Sequence, residues 1–432
     1  MRSSGRLRGA TEYFIVLTVL ILAFLSREET VPFHPDESQW IFMSGWFEPL
    51  IRGNTNTPQW QNASYWNVTQ PPVAKYVIAL GRQAGGMGRG KLNKPWRFNM
   101  DAERNRRRGA IPNPSLLWWS RLPMILMAAG SGLILWATVA AAAGRIAGYT
   151  LLVLYISNSY FSDTLVKAMG DSPLVFFILI TIPAAYCAVS QWLHISSNPN
   201  GSKKVFLAPW FWFCLVGICC GLAGASKLNG LSLLAGGALL CTTCLWVTPR
   251  PVAARFKMAV AGAFGAVVLS AWTVFIAVNP FLYRAPLRKL GLMYDHRVTQ
   301  LANIGEERKG IESLAEYIQV VPTRIFETYA TLSFDGALYL NLVLCVVGGY
   351  YLFSKAIAFL RHQSTDPTQV VLLSVAMTTA IPSLFTPADW DRYYILPVLF
   401  STVAIAVGLG YVMEWIYCTV SRRYSFGVRA NS

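Results

Sequence analysis

Apolar blocks of about twenty residues recur along almost the whole chain, and they constrain the fold more than any other feature. A helix of that length crosses the roughly 30 Å of hydrocarbon in a bilayer, whereas barrel strands would alternate polar and apolar residues. Of the 432 residues, 54% are hydrophobic and only 13% are charged, about half the charged share of a soluble domain. The sequence therefore predicts an all-α polytopic membrane protein.

Ten apolar segments fit this description, and each is predicted to be a transmembrane helix. They are residues 10–26, 115–140, 145–161, 171–193, 205–225, 229–248, 257–278, 334–354, 368–386 and 393–418. The first segment follows several arginines, as a signal peptide would. However, Ser26-Arg27-Glu28-Glu29 offers no cleavage site of small residues, so a retained first span is predicted.

The charges of the short loops orient the chain. With the N-terminus in the cytoplasm, every cytoplasmic loop is basic, as the positive-inside bias requires; these loops carry Arg145, Lys203, Lys204, Arg250, Arg255, Lys257, Lys355, Arg361, Arg422 and Arg423. The long segments 27–114 and 279–333 then lie outside, with the short loops 162–170 and 387–392. Because the net charge of +16 lies in loops, it favours lipid headgroups and phosphate-bearing ligands over nucleic acid.

The first outer segment contains two predicted amphipathic helices. Residues 37–50 carry Trp40, Ile41, Trp46, Phe47 and Leu50, a set that is typical of a helix lying among lipid headgroups. Residues 73–82 follow Pro71-Pro72, and there the cations Lys75 and Arg82 share the face opposite the apolar residues. Residues 84–113 are rich in Gly, Asn and Arg, a composition that predicts a flexible excursion.

Ionisable residues from distant parts of the chain gather at the predicted outer side. Asp36 and Glu37 follow the first span, at the start of a helix whose dipole favours ionised carboxylates; by themselves they could equally be capping acids on a wet surface. The other members of this group are Lys75, Arg121, Lys167, Asp171, Lys227, Asp389, Asp391 and Arg392. Ionisable side chains near the bilayer are costly, so such a collection indicates function.

Five motifs, by their sequence and their order along the chain, resemble those of the GT-C glycosyltransferases. The resemblance is greatest to the branch of protein O-mannosyltransferases and lipid A aminoarabinose transferases. The five motifs are Asp36-Glu37, Gln70-Pro71-Pro72 with Lys75, Ser120-Arg121-Leu122-Pro123, Met169-Gly170-Asp171-Ser172-Pro173, and Asp389 to Tyr394. The resemblance divides the chain into a GT-C-like module, residues 1–280, and a variable module, residues 281–432. Gln70 stands where the family often has His, and residues 84–113 match none of its motifs.

The resemblance implies a function. A member of this branch transfers a sugar from a polyprenyl-phosphate carrier to a lipid, glycan or protein acceptor at the extracytoplasmic face, in bacteria the periplasmic face of the inner membrane. Asp36 is then expected to act as the base of an inverting transfer, with Glu37 and Asp171 as further catalytic carboxylates. Lys75 is the first choice for the donor phosphate, and Arg121, Lys227 and Arg392 are further candidates. No cofactor is expected, and a divalent cation near His34 is not favoured.

Alternatives remain for several of these residues and for the function itself. Arg121 and Lys227 could be interface residues that extend their charges towards water, and Arg392 could pair with Asp389 or Asp391. A transporter or flippase of a lipid-linked sugar is the main alternative function. That class carries charges at the middle of the membrane and broken helices in matching positions, whereas here the charges collect at one face.

Overall fold

The computed structural model describes residues 2–197, 203–248, 253–307, 311, 313–332, 334–385 and 389–430, and within them the secondary structure is helical, without strands. In chain order the helices are α1 (Arg2–Leu25), α2 (Pro35–Met43), α3 (Phe47–Ile51), α4 (Pro58–Gln61), α5 (Tyr65–Val68), α6 (Val73–Ala84), α7 (Ala102–Arg107), α8 (Pro114–Ala143), α9 (Arg145–Ser157), α10 (Ser159–Leu165), α11 (Asp171–Ser197), α12 (Lys203–Ser226), α13 (Leu233–Val247), α14 (Ala253–Ala277), α15 (Pro286–Glu307), α16 (Leu314–Thr323), α17 (Ala337–Leu360), α18 (Thr368–Leu384) and α19 (Ile395–Ala430).

The predicted polytopic helical fold is confirmed. In the described part of the chain, eight segments are long and apolar enough to cross a membrane: Gly9–Thr30, Pro114–Ala143, Asp171–Ser197, Pro209–Ser226, Leu228–Val247, Met258–Ala277, Ala337–Leu360 and Ile395–Thr419. The two remaining predicted spans correspond to the shorter apolar helices α9 and α18. Helix α9 ends before the predicted residue 161 because Asn158 turns to an extended conformation and its side chain caps α10.

The long helices pack side by side into one bundle. Helix α11 lies between α8 and α12, α12 packs on α14, and α19 packs on α17 and α9. The contact between α17 and α19 is close, because a Cβ atom at Gly348 would overlap the carbonyl of Ala404. Small residues permit such contacts between membrane helices. Following the chain through the bundle places the ends of α1, α12 and α14 beside the starts of α8, α11 and α19.

The first outer segment folds onto this end of the bundle. The predicted helix 37–50 is divided into α2 and α3, with a 3-10 turn over Ser44–Trp46. Its Trp40 and Ile41 are buried against α6 and α8, so the prediction that this face rests among lipid headgroups is wrong. Protein atoms already cover the apolar residues.

Two further expectations for this segment are corrected. Helix α6 forms where it was predicted, but Lys75 and Arg82 are buried rather than displayed; the guanidinium of Arg82 binds Ser44 and Glu48. Residues 84–113 are a compact segment rather than a flexible one, because the buried Asn105 side chain donates to three backbone carbonyls. The division of the chain at about residue 280 stays a prediction.

Candidate functional site

Two adjoining cavities open at the loop-bearing end of the bundle. The larger, of about 950 Å³, is lined by the start of α2, by residues 159–169 and by the last outer loop. The smaller, of about 80 Å³, lies beside the starts of α11 and α13 and the helix α15. Tyr65, Gln70, Trp390 and Arg392 line both. The first and last outer loops therefore form the boundary between the cavities.

Asp36 and Arg392 meet at this boundary. The carboxylate Oδ2 of Asp36 lies 2.6 Å from Nη1 of Arg392, and both side chains are mostly but not completely buried. The sequence left Asp389 and Asp391 open as partners of Arg392, but Asp389 pairs with Arg324 and Asp391 accepts from the hydroxyl of Tyr329. Arg392 therefore pairs with Asp36 rather than with Asp389 or Asp391.

The start of α2 fixes the position of Asp36. Pro35 begins the helix, and Nδ1 of His34 accepts a hydrogen bond of 3.1 Å from the backbone N–H of Asp36. An imidazole that accepts through Nδ1 is neutral when Nε2 carries the proton. Burial, assisted by Arg392 and Lys167, lowers the pKa of His34, and it outweighs the opposing effect of Asp36. His34 therefore serves as a neutral helix cap beside the larger cavity.

Asp171 and Lys227 form a second pair, at the smaller cavity. Oδ1 of Asp171 accepts a hydrogen bond of 2.5 Å from Nζ of Lys227, while its buried Oδ2 has no hydrogen-bond partner. Lys227 keeps 21% of its side chain exposed, so its charge remains available on the cavity side.

Helix α15 contributes residues that the sequence did not single out. Arg297 and Gln300 line the smaller cavity; Arg297 donates to the hydroxyl of Tyr393 at 3.1 Å, and Gln300 donates to that of Tyr65 at 2.8 Å. Their spacing of three residues along an amphipathic helix was the available signal. Lys227, Arg297 and Arg392 thus bring three cations from remote elements to one small space.

Glu37 and Arg121 lie elsewhere, inside the protein. Oε1 and Oε2 of Glu37 receive two hydrogen bonds of 2.8 Å from the guanidinium of Arg121. Glu37 also accepts from the backbone N–H groups of His34 and Ala168. Neither side chain lines a cavity, and both are almost fully buried. The pair therefore fastens the first outer loop to α8 and to the segment before α11.

Lys75 is likewise enclosed. Only 1% of its surface is exposed, and Nζ donates to the carbonyl of Trp66 at 3.0 Å while lying 4.6 Å from the ring centre of Trp46. Burial lowers the pKa of this amine to about 7. Lys75 lines neither cavity, so the structure does not bring it to Asp36.

The described residues contain no group of three or more His, Cys, Asp or Glu side chains that could hold a metal ion. The four site residues that do converge are two carboxylates and two cations: Asp36, Asp171, Lys227 and Arg392. They come from the first outer loop, the start of α11, the connection between α12 and α13, and the last outer loop. Such an arrangement can bind an anion and position a base beside it.

The described part of the chain is thus a helical bundle that carries two carboxylates and two cations beneath its outer loops. Residues 40–282 match the family model described as dolichyl-phosphate-mannose-protein mannosyltransferase. The match covers more than half of the chain, and the chain belongs to this family. The resemblance noted from the motifs is thereby confirmed. No curated protein matches the chain.

Solved structures of GT-C glycosyltransferases are similar to the chain. The archaeal oligosaccharyltransferase AglB from Archaeoglobus fulgidus, in complex with an inhibitory peptide and a dolichol-phosphate, is 12% identical with a TM-score of 0.51; the match covers 96% of this chain and 52% of AglB. This likeness supports the fold alone.

Two further structures belong to the same comparison. ArnT from Cupriavidus metallidurans in the apo state is 14% identical with a TM-score of 0.49, covering 93% of this chain and 60% of ArnT. The S. cerevisiae protein O-mannosyltransferase Pmt1-Pmt2 complex bound to the sugar donor is 15% identical with a TM-score of 0.43, covering 65% and 34%. The chain thus spans between about a third and three fifths of the length of these proteins.

Proposed function

We propose that the chain transfers a sugar from a polyprenyl-phosphate carrier to an acceptor hydroxyl, at the extracytoplasmic face of the cytoplasmic membrane. The observation that carries the proposal is the meeting of Asp36 and Arg392 on the wall of a 950 Å³ cavity, with Lys227 and Arg297 lining the adjoining space. Membership of the mannosyltransferase family supports it.

Asp36 is the base in this proposal. Oδ2 is held by Arg392, so Oδ1 remains to accept the proton of the acceptor hydroxyl. The deprotonated oxygen attacks the anomeric carbon from the face opposite the phosphate, and the bond from that carbon to the phosphate oxygen breaks with its electron pair going to the phosphate. A single displacement of this kind inverts the anomeric configuration. General base catalysis contributes on the order of a hundredfold to ten-thousandfold.

The leaving phosphate is stabilised by cations of the smaller cavity. Lys227 acts as a point charge, and the guanidinium groups of Arg297 and Arg392 can each offer two N–H donors. Asp171 holds Nζ of Lys227 in place at 2.5 Å. These fixed charges favour the dianion that forms in the transition state, and the phosphate then needs no strong acid to leave.

Lys75, Arg121 and Glu37 have supporting roles in the proposal. The amine of Lys75, on α6, lies against the rings of Trp46 and Trp60, and the Glu37–Arg121 pair fixes the loop that carries Asp36. We expect no metal requirement, because the cations already supply the positive charge that the leaving phosphate needs. Addition of EDTA should leave the transfer rate unchanged; a rate that falls with EDTA and returns with a divalent ion would contradict this.

The decisive experiment uses the purified protein in liposomes with a panel of polyprenyl-phosphate sugars and lipid, glycan and peptide acceptors. We expect one donor to be consumed, and the product to have the opposite anomeric configuration. Asp36→Asn should lower the transfer rate by about three orders of magnitude, whereas the exposed carboxylate variant Asp295→Asn should leave it unchanged. Equal rates for wild type and Asp36→Asn would remove Asp36 as the base.

The same liposomes test the transporter alternative. A flippase would move the labelled donor between the leaflets without cleaving its sugar–phosphate bond. In the described residues the site charges lie at one end of the bundle, not at its middle, which favours transfer. Translocation without product, unaffected by Asp36→Asn, would replace the enzyme proposal with transport.

A further inference from the structure

The segment of residues 84–113, here named the basic excursion, has no part in the proposed chemistry. Between residues 89 and 108 it carries eight Lys or Arg and two acids. The side chains of Arg104, Arg106 and Arg107 are 72%, 70% and 74% exposed, and they form surface ion pairs with Asp101 and Glu103. Exposed pairs of this kind contribute little, so the surface remains strongly positive.

Hydrogen bonds of buried polar side chains fix the position of this surface. The amide of Asn105 is completely buried and binds the backbone of residues 97–101. The amide of Asn93 and the hydroxyl of Ser38 both bind the carbonyl of Ala110. Because Ser38 lies on α2, two residues after Asp36, these bonds fix the basic excursion relative to the base.

The basic excursion also forms a wall of the larger cavity. Phe98, which is 62% exposed, lines the cavity, and the neighbouring Trp96 lies against Phe33, with ring centres 6.2 Å apart. Inside, the lining carries four carboxylates, those of Asp36, Asp163, Asp389 and Asp391, against the two cations Lys167 and Arg392. The basic excursion, which reaches the cavity through Phe98, therefore adjoins a space whose lining bears more negative than positive charge.

We propose that the basic excursion is the docking surface for an anionic saccharide acceptor, one that bears carboxylate or phosphate groups near its reacting hydroxyl. Its negative groups bind Arg104, Arg106 and Arg107, since the carboxylates inside the cavity repel them. The neutral, hydroxyl-bearing part passes Phe98 and reaches Asp36. This assignment rests on the proposed glycosyl transfer, and it adds the charge class of the acceptor. Membrane lipids are the competing anions, but continuity with the cavity through Phe98 favours the acceptor.

The test measures binding rather than turnover, so it does not depend on finding the natural substrates. Wild-type protein in nanodiscs of phosphatidylcholine is titrated with fluorescent oligogalacturonate and with a maltooligosaccharide of equal length. We expect tighter binding of oligogalacturonate, weakened on the order of twentyfold in Arg106→Gln/Arg107→Gln, since each cation facing an anionic partner contributes a factor of about five. The matched control, Arg284→Gln/Arg288→Gln, removes two exposed cations, one just before α15 and one in its first turn, and should bind as wild type does.

Two further variants connect the surface to the cavity. Phe98→Ala should also weaken oligogalacturonate binding, whereas Asp36→Asn should retain it while losing transfer, so a failure of the base assignment is distinguishable from a failure of the dock. Equal binding by Arg106→Gln/Arg107→Gln and wild type overturns the proposal. Equal oligogalacturonate binding by Phe98→Ala and wild type also overturns it. Loss of oligogalacturonate binding when phosphatidylglycerol is added to the nanodisc overturns it too, because the occupant would then be a membrane lipid.

Discussion

The cavity wall around Asp36 and the buried core around Glu37 differ sharply, although the two residues are consecutive. Asp36 lines the larger cavity and pairs with a residue near the far end of the chain. Glu37 is completely buried and pairs with Arg121 on α8. Successive side chains on a helix point about 100° apart, so one carboxylate can face substrate while the next fastens the loop. Two consecutive carboxylates thus have different roles: Asp36 faces the cavity, and Glu37 holds the loop to α8.

The cations show the same division. Lys227 and Arg392 line the cavities and keep part of their surface exposed, whereas Lys75 and Arg121 are enclosed. In the sequence all four are cations of the predicted outer side, Lys75 within the first outer segment and the other three near the outer ends of spans. Proximity to the membrane surface therefore selects candidate cations, but it does not distinguish a ligand-binding cation from a structural one.

The largest effect is expected from separating the buried pair. Arg121→Met leaves the carboxylate of Glu37 buried without a charged partner, and this costs about 3–5 kcal/mol of unfolding free energy. Glu37→Met should cost less, because Arg121 keeps its second carboxylate partner, Glu28, at 3.4 Å. The double variant should be more stable than Arg121→Met alone, because it no longer contains the buried, unpaired carboxylate of Glu37.

Thermal unfolding in detergent or lipid measures this contrast, with Asp36→Asn as the comparison from the cavity wall. Asp36→Asn should unfold close to the wild-type temperature. If Arg121→Met were as stable as wild type, the buried core would not be what holds the first outer loop.

The next effect concerns Lys75 and pH. Its pKa is about 7 in the folded protein against 10.5 for an ordinary lysine, so the unfolded chain binds more protons between these values. Burying the protonated amine lowers the free energy of unfolding. This loss is absent above pH 10.5, grows as the pH falls towards 7, and is constant below pH 7 at about a few kcal/mol. Lys75→Met should therefore gain stability over wild type as the pH falls from 10 to 7. Parallel unfolding curves for the two proteins across this range would show that Lys75 titrates normally.

The smallest effect separates two lysines by their contact with the donor. Lys227→Met should raise the KM for the polyprenyl-phosphate donor about tenfold, because a charge-assisted hydrogen bond to the phosphate is lost. Lys75→Met should leave that KM unchanged, and Lys227→Arg should restore most of the affinity. Steady-state kinetics with varied donor decide the matter, and a larger KM effect at Lys75 than at Lys227 would reverse the two roles.

Much of the fold could be predicted from the sequence because its signals are local. Blocks of about twenty apolar residues located the spans, and only α9 and α18 fell short of the length of a full crossing. The site was predicted in part. Asp36, Asp171, Lys227 and Arg392 do converge, but Arg297 was missed because the second outer segment carries no recognisable motif.

Hydropathy and motif order are enough to predict a helical membrane protein of the GT-C class, since neither requires knowledge of which residues are neighbours in space. Which charges face a cavity could be read only from the folded chain. Lys75 is enclosed by Trp46 and Trp60, which lie on two other short helical elements, whereas Arg392 is brought to Asp36 by the packing of α19 against the bundle. The surroundings of a charge depend on segments remote in the chain, and it is this environment that sets whether the charge binds a ligand or holds the fold.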